Sequence, residues 1–74
     1  MTLSDLCQGQ RARILAIEGG KGFRQKLLLR GLSEGSLVKV LSNGQGPVLL
    51  EVNRSTIALG VGMAAKIRVK IMDG

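Results

Sequence analysis

Alternation of apolar and polar side chains predicts most of the regular structure in this chain. It is most regular in IRVKIM (67–72), where the aliphatic side chains point to one side and Arg68 and Lys70 to the other. The same period of two predicts strands at 12–18, 36–42, 48–52 and 67–72. In the first of these the alternation breaks at Leu15 and Ile17, which indicates either a bulge or burial on both faces.

The remaining segments connect these strands into a mainly β fold. Within TIALGVGMAAK (56–66), residues 57–59 are typical of a strand and 63–65 of one helical turn before the last strand. NGQGP (43–47) holds the only proline and two glycines, so it is a hairpin connection. About five short strands and one helix predict a small closed barrel, because closure leaves no bare sheet edge. No linker or repeat interrupts the chain, so residues 1–74 are expected to form a single domain.

One short helix is predicted after the first strand, from Phe23 to Arg30. Phe23 and Leu27 are one turn apart and can both enter the core. Gly31 stands where a left-handed residue often ends a helix, and Leu32 can then close on Leu27. The sequence therefore predicts the C-terminal end of this helix more sharply than its beginning.

This helix carries three consecutive leucines, and they cannot all face the core. Leu28 lies about 100° around the helix from Leu27, and Leu29 about 200°. In one interpretation the helix is clamped between the barrel and the N-terminal segment and is buried on two sides. In the other, Leu28 or Leu29 is exposed and docks a partner, with Arg24 and Lys26 as a charged rim.

The residue inventory argues against catalysis. The chain has no histidine, which is the commonest general base and metal ligand, and its five carboxylates are scattered singly. Cys7 is the only cysteine, so neither an internal disulfide nor a paired-cysteine metal site is expected. No enzyme activity, catalytic residue, cofactor or metal site is predicted. The sequence contains no signal peptide and no apolar stretch long enough to span a bilayer, which predicts a soluble cytoplasmic protein.

The net charge of +6 favours an acidic partner. If the first and last strands pair, their outward basic residues form one patch: Arg11, Arg13, Arg68 and Lys70. Phosphate contacts by such a patch make nucleic acid a candidate ligand. Single-strand and RNA readers usually stack bases on aromatic side chains, however, and this chain has neither Trp nor Tyr. Nucleic acid is therefore disfavoured.

The order of these segments resembles the ferrous iron transport protein A family (FeoA) over nearly the whole chain. The matching pieces are Lys26-Leu27 leading to Gly31-Leu32, then Gly35 with Val38 and Val40, and finally Ile57-Ala58-Leu59 with Ala64, Ile67 and Val69. Each piece is weak alone, and the resemblance rests on their order and spacing.

The resemblance implies an SH3-like β-barrel that carries the helix on its outside. It also implies a cytoplasmic accessory protein that docks on and modulates the FeoB-type ferrous iron transporter and its GTP-binding domain. No small-molecule substrate is expected, contact with the membrane is expected only through the transporter, and an oligomer is compatible with this role. The expected partner-binding residues lie on the helix: Arg24, Lys26, Leu28, Leu29 and Arg30.

The sequence departs from the family pattern at three places. Arg30 replaces a residue that is usually apolar, Ser33-Glu34-Gly35 lacks the common proline, and Gln45-Gly46-Pro47 replaces Gly-Asp-Pro. Arg30 has the largest consequence, because its stem is then expected to lie over the apolar edge while Leu28 is buried in its place. SH3-like domains also occur at the C-terminus of iron-dependent repressors, so a basic nucleic-acid-binding or transcription-regulatory module is the alternative function.

Overall fold

The computed structural model describes residues 1–44 and 46–72. Gln45, in the predicted hairpin connection, and Asp73 lie outside the described residues. The strands are β1 (Arg11–Ile17), β2 (Leu37–Ser42), β3 (Val48–Val52), β4 (Ser55–Leu59) and β5 (Ile67–Ile71), and the helices are α1 (Lys21–Leu29) and α2 (Val61–Ala64). A short 3₁₀ turn covers Leu3–Asp5. The mainly β fold predicted from the sequence, with one helix after the first strand and a helical turn before the last, is confirmed.

All five strands form one antiparallel sheet in the order β4-β3-β2-β1-β5. The first and last strands pair, as predicted, with Arg13 directly opposite Lys70. The sheet curls into an approximately barrel-like shape, but β4 and β5 are its two edges and are not hydrogen-bonded to each other. The closed barrel expected from the sequence is therefore wrong in its pairing, because other parts of the chain cover these edges.

The edge of β5 is covered by the N-terminus. The amide of Val69 donates to the carbonyl of Met1 at 3.0 Å, and Thr2 forms an isolated antiparallel bridge with Arg68. These contacts satisfy backbone groups that would otherwise be open to another chain. Met1 and Thr2 thus pair with part of the free edge of β5 and cover it.

The core is aliphatic throughout. Among the described residues every buried side chain is apolar, and no polar or charged side chain is buried. A register shift between Ile14 and Ala16 changes which side chains of β1 face inward. Leu15 follows the outward phase of Arg11 and Arg13 and is 52% exposed, whereas Ile17 returns to the core because of this bulge. Of the two interpretations of this strand, the bulge is confirmed.

The helix α1 begins two residues earlier than predicted and ends one residue earlier, at Leu29. Its end is a Schellman motif. The amide of Leu32 donates to the carbonyl of Leu27 and that of Gly31 to Leu28, both at 2.9 Å. Gly31 has φ +87°, which a residue with a Cβ adopts only at a cost. The predicted closure of Leu32 on Leu27 is confirmed, and both side chains are fully buried.

The same substitution at Gly22 within α1 and at Gly31 after its end should change stability in opposite directions. Gly31→Ala should lower the free energy of unfolding by about 1–2 kcal/mol, because alanine is strained at this positive φ. Gly22→Ala should raise it by up to about 0.5–1 kcal/mol, because Gly22 is helical and has open space at its Cβ position. Chemical denaturation of both variants measures these changes. A loss of stability in both variants would show that the backbone conformation of the glycine does not decide whether alanine stabilises or destabilises the protein.

Candidate functional site

Two arginines hold α1 against the sheet. The Nε and Nη2 atoms of Arg24 donate to the carbonyl oxygen of Ile17, at 3.3 and 3.2 Å. Nη1 of Arg30 donates to the carbonyl oxygen of Ala58 at 3.1 Å. Arg24 also lies 3.9 Å from a carboxylate oxygen of Glu34, in an exposed ion pair of small energetic value. These bonds reach the last residue of β1 and the edge strand β4, and they fix how α1 is rotated.

The three leucines of α1 have very different surroundings. Leu27 is fully buried, Leu28 is 62% exposed and Leu29 is 88% exposed. The expectation that Arg30 leaves Leu28 buried is therefore wrong, and so is burial of the helix on two sides. Arg30 caps the helix and turns back to β4, so it does not force the helix to rotate.

We call the exposed face formed by Lys26, Leu28 and Leu29 the leucine ridge. Lys26 is exposed and, among the described residues, makes neither a side-chain hydrogen bond nor an ion pair. Of the five helix residues predicted to bind a partner, Arg24 and Arg30 have structural contacts, while these three present their side chains to solvent. The structure thus brings the five residues onto one small helix and divides them between holding the helix and forming its exposed face.

Phe23 closes the other side of α1. Its ring is partly buried against the core, and a Cβ on Gly19 would stand 2.9 Å from the ring. The Nζ atom of Lys66 lies 5.5 Å from the ring centroid, within the range of a cation–π contact. The close approach of backbone to ring at Gly19 explains a glycine that the sequence showed only as part of a corner.

The four residues of the predicted basic patch, all exposed, have different neighbours. Arg13 and Lys70 face each other across β1 and β5, whereas Arg68 pairs with Glu18 at 3.8 Å. Arg11 lies opposite Lys39 of β2, on the other side of β1. The pairing of the two strands is as predicted, and it places Arg13 and Lys70 next to each other. A role of this patch in binding nucleic acid stays a prediction.

A groove of about 390 Å³ lies on the outer surface of the sheet, around Arg11. Its remaining walls come from β1, β2, β3, the β3–β4 turn and the residue after β5, and they comprise Ala12, Leu37, Val38, Lys39, Glu51, Asn53, Arg54 and Met72. Sequence reasoning missed this groove. The outward phase of Lys39 in the second strand was its only visible signal, because the neighbouring strands come together only in the folded sheet.

Among the described residues, no three histidine, cysteine or acidic side chains come together in a way that could hold a metal ion. Cys7 is exposed and unpaired in this part of the chain. Within the same residues no helix is long and apolar enough to cross a membrane.

Comparison with protein families matches a model described as the FeoA domain to residues 1–71 of this chain. A protein of Methanocaldococcus jannaschii named "Putative Fe(2+) transport protein A" is 38% identical over 63 residues, which cover 85% of this chain and 77% of that protein.

Solved structures show the same likeness. A crystal structure of an iron uptake regulatory protein, FeoA, superposes with a TM-score of 0.88 at 32% identity, covering 97% of this chain and 99% of that chain. The zinc complex of FeoA from Stenotrophomonas maltophilia, described as a procaryotic SH3 domain protein, has a TM-score of 0.76 at 24% identity. It covers 95% of this chain and 89% of that chain, and supports the SH3-like fold alone.

Truncation of the three consecutive leucines should separate core from surface. Leu27→Ala should lower the free energy of unfolding by about 2–5 kcal/mol, because it leaves a cavity in the core. Leu28→Ala and Leu29→Ala should change it by about 0.5 kcal/mol or less, because their side chains already face solvent. Urea denaturation of the three variants measures this order. A large loss at Leu28 would mean that the helix is rotated differently from the orientation described above.

Proposed function

The chain belongs to the FeoA domain family, and we propose that it docks through its leucine ridge on the cytoplasmic part of an FeoB-type ferrous iron transporter. Membership makes it an accessory protein of ferrous iron transport. The docking and its site are the proposal. The single observation that carries it is the exposure of Leu28 and Leu29 beside Lys26, which forms no ion pair with the described residues, on a helix that Arg24 and Arg30 bind to the sheet.

Adjacent exposed leucines on a helix are typical of a protein-binding surface. Burying each of them against a partner contributes about 1.5–3 kcal/mol of hydrophobic free energy. The ridge is presented on a helix that is already held by Arg24, Arg30 and the buried Leu27, so little order has to be gained on binding. Lys26 at the rim supplies a charge that favours an acidic surface on the partner.

Binding without catalysis agrees with the chemistry of the exposed side chains. Two of the three ridge residues are leucines, whose side chains have no reactive group, and the third is an exposed lysine. Their contribution is therefore contact area, shape and charge, which suits modulation of a transporter through its GTP-binding domain.

Charge substitutions on the ridge test this proposal directly. Leu28→Asp and Leu29→Asp should each weaken binding to the isolated cytoplasmic part of an FeoB-type transporter by about tenfold or more, because each removes a buried leucine and introduces a carboxylate. Isothermal titration with the purified partner measures the affinity, and chemical denaturation of each variant confirms that it is folded.

Leu15→Asp is the matched control, since Leu15 is also an exposed leucine but lies on β1. Its affinity should remain close to that of the unmodified chain. Unchanged binding in both ridge variants would remove the helix from the interface. An equal loss in the Leu15 variant would indicate that added negative charge, and not the ridge, is responsible.

A further inference from the structure

The groove on the outer surface of the sheet is far from the leucine ridge. Arg11, the first residue of β1, lines the groove, whereas Arg24 of α1 contacts Ile17, the last residue of the same strand. These two residues are about 20 Å apart along the strand. Arg54, immediately before β4, lines the groove, whereas Arg30 at the end of α1 contacts Ala58 near the end of that strand. The two surfaces therefore share no lining residue and can be tested separately.

Positive charge dominates this groove. Three cations line it, Arg11, Lys39 and Arg54, against one carboxylate, Glu51, among the described residues. The two ion pairs formed within residues 1–44 and 46–72 involve other side chains. Lys39 is half-buried, so part of its side chain packs along the wall of the groove. A groove that concentrates cations in this way attracts an anionic ligand.

The conformation of Arg54 is unusual for its residue type. Asn53 and Arg54 form the two-residue turn between β3 and β4, with φ +50° and +66°. This geometry is that of a type I′ turn, whose second position strongly prefers glycine. An arginine here is held in a left-handed conformation that glycine adopts without strain. An arginine at this position therefore strains the backbone at some cost in stability. Its side chain lines the groove.

Apolar surface lies beside these charges. Leu37 is 57% exposed and Met72 is 37% exposed, and both line the groove. Asn53 adds a side-chain amide that can donate to a carboxylate or to a peptide carbonyl. The described walls contain no aromatic ring on which a base could stack. This combination fits a chain segment with carboxylates and an aliphatic side chain better than it fits a nucleic acid.

We propose that the groove binds a short acidic peptide segment of a partner protein, with Arg11, Lys39 and Arg54 contacting its carboxylates and Leu37 and Met72 its aliphatic side chain. The volume, about 390 Å³, is within the range of ligand sites. Arginine supplies the planar pair of donors that matches a carboxylate, which gives this residue a use in a turn that favours glycine. The groove is thus a second docking surface, independent of the ridge.

A synthetic peptide with several glutamates around one leucine is the probe, titrated into the whole protein. Binding should shift the amide resonances of Arg11, Lys39 and Arg54 in NMR spectra. Arg54→Gly should weaken it by about tenfold, because a charge-assisted hydrogen bond is lost. The same variant should be as stable as the unmodified chain or more stable, because the turn is relieved of its strain. Weaker binding in a protein that is not destabilised separates ligand contact from structural support.

Two further variants sharpen the result. Glu51→Gln should strengthen binding about two- to fivefold, because it removes the described carboxylate of the groove. Lys70→Gln is the control, since Lys70 is an exposed cation outside the groove, and should leave the affinity unchanged. Equal weakening by Lys70→Gln and Arg54→Gly would overturn the proposal in favour of general charge attraction. Absence of binding, or tighter binding of a single-stranded oligonucleotide of equal charge, would also overturn it.

Discussion

Unpaired backbone groups along the two edges of the sheet are the constraint on which the rest of this structure depends. The five strands do not close on themselves, so β4 and β5 each present one free edge. Residues Met1 and Thr2 cover β5, and the guanidinium of Arg30 takes up the carbonyl of Ala58 on β4. Since Arg30 caps α1, the protection of this edge also sets the position of the helix. The exposure of Leu28 and Leu29 follows from that position.

Sequence periodicity predicted those features that depend on one segment alone. Strand alternation and the Schellman end at Gly31 are set by neighbouring residues and were predicted, and the bulge of β1 was one of two interpretations of its pattern. The open pairing of the sheet and the role of Arg30 depend on contacts between distant segments. Arg30, for example, donates to the carbonyl of Ala58, 28 residues further along the chain. No local pattern carries that information, so a charge that looked misplaced on a core-facing helix was in fact a hydrogen-bond donor to an edge strand.

The candidate site shows the same division. The sequence predicted the helix that carries the ridge but left open which leucine is exposed, because helical angles relate the leucines to one another and not to the sheet. It also grouped four cations by their presence on β1 and β5, but it did not show that Lys39 of β2 lies opposite Arg11 or that Arg68 pairs with Glu18. The groove was missed because Arg54 comes from a turn, where outward alternation has no meaning.

The basic residues behind the high net charge have different roles in this molecule. Arg24 and Arg30 use their charge-assisted hydrogen bonds to hold backbone carbonyls, and Lys66 lies over Phe23. Arg11, Lys39 and Arg54 have no such contact among the described residues and converge on the groove. Cations that stabilise the fold bind to groups of the chain itself, whereas the three cations of the groove form no ion pair with the described residues and are open to a ligand. Whether a cation already bonds within the chain indicates the site of an acidic ligand better than the total charge does.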